Sequence, residues 1–182
     1  IGGVAASKYF NVQRMRFTDA DPDALDLCRK NMNKNGLNDS KVYSTVILRW
    51  DQHYNDCLTG TKGVVLATDV IYDIRQWPNL LRTASRITQL CTERYWIVAH
   101  VPRACYTSER HAKGSLEDYL MSEATNHSWT LKNIIHPTDI ASDDTSFHLT
   151  SKHFAKTLKE MGEIGATVFV WVQKQEDIQP LE

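Results

Sequence analysis

Three short apolar runs constrain this chain more than any other feature. Gly63-Val64-Val65-Leu66, Tyr95-Trp96-Ile97-Val98-Ala99 and the ATVFVWV stretch at 166–172 are apolar almost without interruption. A strand with one face in water alternates apolar and polar residues, whereas a strand buried on both faces does not. Runs this short read as buried strands rather than helices. The segments between and before them have a different period. Pro78 opens a helical pattern with Leu80, Ala84, Ile87 and Cys91 on its inner face. A second pattern covers 115–126 with Leu116, Tyr119 and Leu120, and a third covers 151–161.

The first part of the chain repeats the alternation. Residues 3–10 read as the first turns of a helix, and Met15-Arg16-Phe17-Thr18 as a strand closing at Asp19. Asp21 is a good N-cap, Pro22 suits the first helical position, and Gly36 suits the stop. With Leu25, Cys28 and Met32 on one face, a helix is predicted over 22–35. A β-rich run at 41–48 (KVYSTVIL) follows, and a polar loop at 51–62 leads to a strand at 63–68. Further strands are expected at 95–99, 129–135 and 166–172, with loops at 102–114 and 137–150. Strand and helix in alternation predict an α/β protein with a mostly parallel, buried sheet. With no repeat, low-complexity tract or linker, a single domain over 1–182 is the simplest expectation.

Composition narrows the partners. A net charge of −1 makes no global electrostatic case for nucleic acid or a membrane surface. No apolar run approaches the roughly 20 residues of a membrane helix. The four cysteines, Cys28, Cys57, Cys91 and Cys105, form no C-x-x-C pair. Their spacing favours a reducing, intracellular compartment and argues against zinc. His148 and His153 are five apart with no carboxylate cluster, so no metal site is expected. Ser108, His111 and Asp118 make no recognisable nucleophile arrangement, and Lys152, Lys156 and Lys159 read as a solvated helix face.

The chemistry concentrates at strand ends. In open α/β sheets, ligands bind outside the carboxyl ends of the strands. Asp19, Trp50 and Asp69 are all expected there, on a common rim. Asp69 belongs to the stretch ATDVIYD at 67–73. An acid closing a buried strand is costly unless it has a partner or a task. Structural uses remain open at this point. Asp19 would serve as a turn residue beside Asp21, and Trp50 and Tyr72 as core.

The ordered set of a starting GG, F-T-D, KNMNKNG, LRWD and ATDVIYD resembles one known family. It is similar to the seven-strand, S-adenosylmethionine-dependent protein-lysine methyltransferases, which carry a D-x-x-Y motif after the fourth strand. The likeness runs as far as Arg103, itself a weak match to a basic residue in some members. The resemblance implies a Rossmann-like, mostly parallel twisted sheet with helices on both faces and an antiparallel last strand. It implies S-adenosylmethionine as cofactor. Gly2 and Gly3 would be the tail of the glycine-rich motif that lets the cofactor approach the backbone. Asp19 would accept from the ribose hydroxyls, with Ala20 near the adenosine. Trp50 would pack on the adenine, Asp51 would meet its edge, and Ala67 would line the methionine portion. Asp69 and Tyr72 would form the methyl-transfer pair.

The family's first strand and its E-x-G-x-G opening are missing, and the chain starts IGGVAASKYF without Met. The expectation is therefore an N-terminally truncated domain, a piece of a longer chain. Thr68 replaces a small apolar residue, and 137–165 is longer than the family's hairpin, which marks a specificity insertion. The implied activity is methyl transfer to a lysine of a protein substrate in the cytoplasm, with the nucleus as alternative. Two rivals stand beside it: a methyltransferase for nucleic acids or small molecules, and a silent methyltransferase-like module that binds partners. The first typically carries an N/D-P-P-Y motif, and here the equivalent is Asp69-Val70-Ile71-Tyr72. A nicotinamide dehydrogenase would also use a strand-end acid, but leaves the D-x-x-Y and LRWD pieces unexplained.

Overall fold

A computed structural model describes residues 2–9, 12–50, 52, 57–71, 73–101, 116–137, 160 and 166–174. The chain divides into two compact units, residues 1–55 and 56–182.

The first unit runs α1 (Gly2–Tyr9), β1 (Met15–Asp19), α2 (Pro22–Lys34) and β2 (Tyr43–Ile47). Local chemistry sets both ends of α2. The Asp21 carboxylate accepts from the Asp23 N–H at 2.9 Å, and Pro22 occupies the first turn, where no amide partner is needed. At the other end Gly36 adopts φ +76°. Its N–H reaches the Asn33 carbonyl at 3.1 Å, and the Leu37 N–H reaches Met32 at 3.0 Å. This is a Schellman stop, which needs a residue that tolerates left-handed φ. Leu37 and Met32 are both buried, as that motif's hydrophobic contact requires. The crossover returns the chain so that β1 and β2 pair in parallel, Met15 opposite Tyr43 and Asp19 opposite Ile47. Arg29 on α2 donates to Thr45 Oγ1 on β2 at 2.8 Å.

The second unit holds β3 (Thr59–Thr68), a 3-10 turn (Ile74–Gln76), α3 (Trp77–Thr88), β4 (Leu90–His100), α4 (Leu116–Asn126), β5 (Thr130–Ile135) and β6 (Thr167–Lys174). Its sheet has the order β3-β4-β6-β5. β3 and β4 are parallel, joined through α3. β6 is antiparallel to both neighbours, as expected of the last strand. One face of this sheet is buried, with Trp96, Val98, Phe169 and Trp171 at its centre. The buried residues Leu80, Leu81, Ala84, Leu120 and Ala124 of α3 and α4 complete that layer. Trp77 stacks on Trp96 with ring centroids 4.7 Å apart, and Phe169 stacks on Trp171 at 5.1 Å. The two indole N–H groups at the layer's rim are satisfied: Trp77 donates to the Leu120 carbonyl and Trp129 to Ser85 Oγ. On the opposite face of β3, Val64 and Leu66 are exposed. Among the described residues the run at 63–66 is therefore covered on one face, not on the two that its unbroken apolar character predicts.

A buried arginine closes one end of this layer. Arg94 Nε donates to the Cys91 carbonyl at 3.1 Å and Nη1 to Gln173 Oε1 at 3.2 Å, while Nη2 reaches the Gln89 carbonyl. Gln173 in turn donates to the His127 carbonyl at 3.1 Å. One guanidinium thus ties the end of α3, the start of β4 and the end of β6, and through Gln173 the end of α4. Burial lowers its pKa from the ordinary guanidinium value.

Three boundaries differ from expectation by more than two residues, and one of them is the start of β4, at Leu90 rather than 95. β3 starts at Thr59 rather than 63, because Thr59 to Lys62 pair with Leu90 to Glu93 although their side chains are exposed. Cys91 lies on β4, not on the inner face of α3, because that helix ends at Thr88. Polar residues recruited into a ladder by backbone pairing carry no apolar signal. Of the helix expected over 151–161 only Glu160 is described, and it is helical. The remaining residues there, most of 137–150 and 102–114 lie outside the described residues. No described helix is long and apolar enough to cross a membrane.

The His127 side chain gives this layer a pH dependence. Burial, then the nearby Arg82 cation, lowers its pKa below the usual imidazole value, and Glu123 opposes them. The unfolded chain therefore binds this proton more readily. Its contribution to stability is complete above the unfolded pKa, near 6.5, and is lost as pH falls through the lower folded value. His127→Gln is expected to reduce the drop in melting temperature between pH 7.5 and pH 5.5. An unchanged drop in that variant would rule out this origin.

Candidate functional site

Of the expected site residues, Asp19, Ala20, Trp50, Ala67 and Asp69 are described at the carboxyl ends of the two parallel pairs. In the first unit, Asp19 is the last residue of β1 and Ala20 follows it, both exposed. The Asp19 Oδ1 accepts from the Asp21 N–H at 3.0 Å, so the turn into α2 uses one of its lone pairs. A carboxylate accepts about four hydrogen bonds. Both readings of Asp19 therefore coexist: it shapes the turn and keeps acceptor capacity at the strand end. The Asp19 carbonyl also accepts from the Leu48 N–H at 2.9 Å. That bond brings the segment leaving β2 alongside Asp19, and Trp50 follows two residues later, half-buried. Asp19 and Trp50 are thus brought to one end of one strand pair.

Gly2 and Gly3 open α1. A Cβ on Gly3 would lie 2.7 Å from the Phe17 ring, so the absent side chain lets α1 approach β1. Asp51 lies outside the described residues, as do Tyr72 and Arg103.

In the second unit, Ala67 is buried near the end of β3, opposite Val98. Asp69 follows the strand. It is exposed, and its φ is +54°. The Asp69 N–H donates to the Ala99 carbonyl at 2.8 Å, which holds the turn against β4. Left-handed φ costs an ordinary L-residue roughly 1–2 kcal/mol, with Asp and Asn the best tolerated after Gly. Two other residues of the stretch have visible local tasks. Ile71 is buried and anchors the loop. The Asp73 carboxylate caps the 3-10 turn through the Arg75 N–H at 3.0 Å and takes a two-point contact from the Arg75 side chain, at 2.9 and 2.8 Å. Those hydrogen bonds, side-chain first, hold the Asp73 carboxyl below the usual carboxylate range. Asp69 is the acid of this loop that faces solvent in a conformation a strand end does not require.

His100 was not foreseen. It ends β4, next to the Ala99 carbonyl that anchors Asp69, and it is buried. The signal was available, because the run YWIVAH closes on a titratable residue as GVVLATD does.

A profile of the family described as lysine methyltransferase matches residues 1–112. The chain belongs to the lysine methyltransferase family. The matched span contains every expected site residue, from Gly2 to Tyr72, and with them the whole D-x-x-Y stretch. S-adenosylmethionine is the cofactor of this methyltransferase. A comparison with curated protein sequences returns no match. Solved structures share the fold at low identity. One is a candidate sarcosine dimethylglycine methyltransferase from Galdieria sulphuraria: TM-score 0.57, 11% identity, covering 96% of this chain and 76% of that one. A second is phosphoethanolamine N-methyltransferase 2 of Haemonchus contortus with S-adenosylhomocysteine: 0.56, 12%, 96% and 47%. A third is the cyclase SpnF: 0.60, 7%, 94% and 70%. This group includes an enzyme named for a cyclisation, so the likeness fixes the Rossmann-like fold and not the reaction.

The residues fit the cofactor's needs. A vicinal ribose diol calls for an acceptor-rich, accessible group at a strand end, and Asp19 is one. An adenine calls for an aromatic plane, and Trp50 offers it outside the buried Trp77, Trp96, Trp129 and Trp171 layer.

The Asp69 backbone supplies a stability test. Asp69→Gly relieves the left-handed strain and is expected to leave the protein as stable or up to about 1 kcal/mol more stable. Asp69→Val is expected to cost about 1–2 kcal/mol for the same reason. Urea denaturation of both variants checks the order, and a less stable glycine variant would contradict it.

Proposed function

We propose that this chain transfers a methyl group to the side-chain amine of a lysine in a protein substrate, in the cytoplasm. The observation that carries the reading is the family match across the D-x-x-Y stretch, whose description names lysine. The free thiols of Cys28, Cys57 and Cys91 agree with a reducing compartment.

When bound, S-adenosylmethionine supplies a methyl group already activated by its sulfonium. What remains for the protein is positioning, desolvation and proton management. A lysine near pKa 10.4 arrives as an ammonium and must lose a proton before its lone pair can act. The Asp69 carboxylate attracts and orients that ammonium. It also favours the charged form, so Asp69 is not suited to draw the proton away by itself. Water takes the proton once the amine is seated. Tyr72 shapes the channel to the amine. Asp19 accepts from the ribose hydroxyls and Trp50 stacks on the adenine, with Gly2, Gly3, Ala20, Asp51 and Ala67 lining the cofactor. The stretch at 137–165 carries substrate choice.

Two measurements test this. Calorimetric titration with S-adenosylhomocysteine is expected to show Asp19→Ala weakened by about 2 kcal/mol, roughly 30-fold in Kd. Quenching of Trp50 fluorescence should follow the same isotherm. Asp69→Ala is expected to keep cofactor affinity within about threefold while methyl transfer falls at least about 100-fold. Transfer is read by incubating cell extract with methyl-labelled cofactor and finding the label on lysine by mass spectrometry. Equal loss of cofactor affinity in both variants would refute the division of roles. Label on nucleic acid or small amines, with none on lysine, would refute the substrate while leaving methyl transfer.

A further inference from the structure

The amino-terminal corner of the β3–β4 pair holds two thiols that methyl transfer does not use. Cys57 stands two residues before β3, and Cys91 is the second residue of β4. Three contacts knit their neighbourhoods together. The Leu58 N–H donates to the Ile87 carbonyl at 2.7 Å. The Cys91 thiol points to the Leu58 carbonyl at 3.4 Å, one residue from Cys57. The Gln89 side-chain amide donates to the Cys57 sulfur at 2.9 Å, two residues from Cys91. Each sulfur is therefore held by a residue within two positions of the other thiol.

We propose that Cys57 and Cys91 form a redox pair that closes to an intramolecular disulfide. Their environments assign different roles. Cys57 is half-buried, with the Gln89 side-chain N–H on its sulfur, so it is the thiol of the pair that a small oxidant in solvent reaches. Cys91 is buried, and that burial raises its thiol pKa, with a smaller lowering from Arg94 and a further raising from the nearby Cys57. Cys57 is the attacking thiol and Cys91 the resolving one. The oxidant is a small-molecule disulfide of the glutathione type. The Cys57 thiolate attacks one of its sulfurs, that S–S bond breaks, and one small thiol leaves with the proton Cys57 gave up. Cys91, losing its own proton, then attacks the Cys57 sulfur and releases the second small thiol. Two protein thiols are oxidised to one disulfide, and one small disulfide is reduced to two thiols.

Closure would move a side chain that now has a packing task. Cys91 Sγ lies where a Cβ on Gly63 would be, 2.7 Å away, so the sulfur fills the space that glycine leaves. Turning it toward Cys57 trades that contact for a covalent tie between the segment entering β3 and the second residue of β4. The pair lies at the opposite end of β3 from Asp69, so the proposal stands apart from the catalytic reading.

The test equilibrates the folded protein in glutathione buffers of graded oxidised-to-reduced ratio. Free thiols are then blocked with N-ethylmaleimide and peptides mapped without reduction. The expected product is a Cys57–Cys91 linked peptide, with Cys28 still blocked by the reagent. Amide hydrogen exchange at 58–62 should slow in the oxidised form. Cys57→Ser should abolish the link and leave Cys91 alkylatable at every ratio. Because serine at buried Cys91 is destabilising, the wild-type map and Cys57→Ser carry the test. Accumulation of a stable mixed disulfide on wild-type Cys57 would overturn the proposal. So would a link that forms only in urea.

Discussion

The stacking of Trp77 on Trp96 is the contact on which the second unit depends. Parallel strands cannot be joined by a tight turn, so β3 and β4 pair only if the crossover between them has somewhere to pack. Trp77 begins that crossover helix and lays its ring on the central strand. Trp171 and Phe169 on β6 extend the same apolar layer, which fastens the antiparallel strand to the pair. Fully burying a side chain of this size contributes on the order of 2–3 kcal/mol each. With β4 fixed, its Ala99 carbonyl stands where it can hold the Asp69 amide. The strand-end acid thus inherits its position from an aromatic layer on the covered face.

Both parallel pairs reuse one solution. A strand closes at or just before an exposed aspartate, a helix crosses back, and a backbone hydrogen bond to or from the second strand's end pins the turn. In the first pair the pin is Leu48 on the Asp19 carbonyl, and in the second it is Asp69 on the Ala99 carbonyl. Aspartate suits such turns because its short carboxylate bonds nearby amides and tolerates unusual φ. The same carboxylates are what a diol and an ammonium require, so structural and chemical uses reinforce each other at Asp19. At Asp69 the backbone adopts a left-handed φ, and strain of that kind collects at functional positions.

Polar groups inside the second unit are treated economically. Arg94 is buried, yet three carbonyl oxygens surround it, one of them the side chain of Gln173. Neutral acceptors of this kind satisfy a guanidinium's fork without bringing a second charge out of water. The same corner carries Cys57, Gln89 and Cys91. A reactive thiol pair there is anchored to one of the best-braced points of the sheet, while the opposite strand ends remain available for ligand.

The sequence by itself determined the element order, the caps of α2, the buried character of β4 and β6, and the motif that names the family. Those are local properties: Pro22 and Gly36 act within a turn, and a run such as VFVWV needs no partner to be recognised. It did not reveal that β3 begins at Thr59, that Cys91 sits on a strand, or that Arg94 is buried. Each follows from pairing between distant segments, where a backbone ladder or three carbonyl groups override the preference of the side chain. The left-handed turn at Asp69 belongs with them. The letters D-V-I-Y announce a site, but the φ of Asp69 is set by a hydrogen bond to a residue thirty positions away, and only the folded sheet supplies that carbonyl.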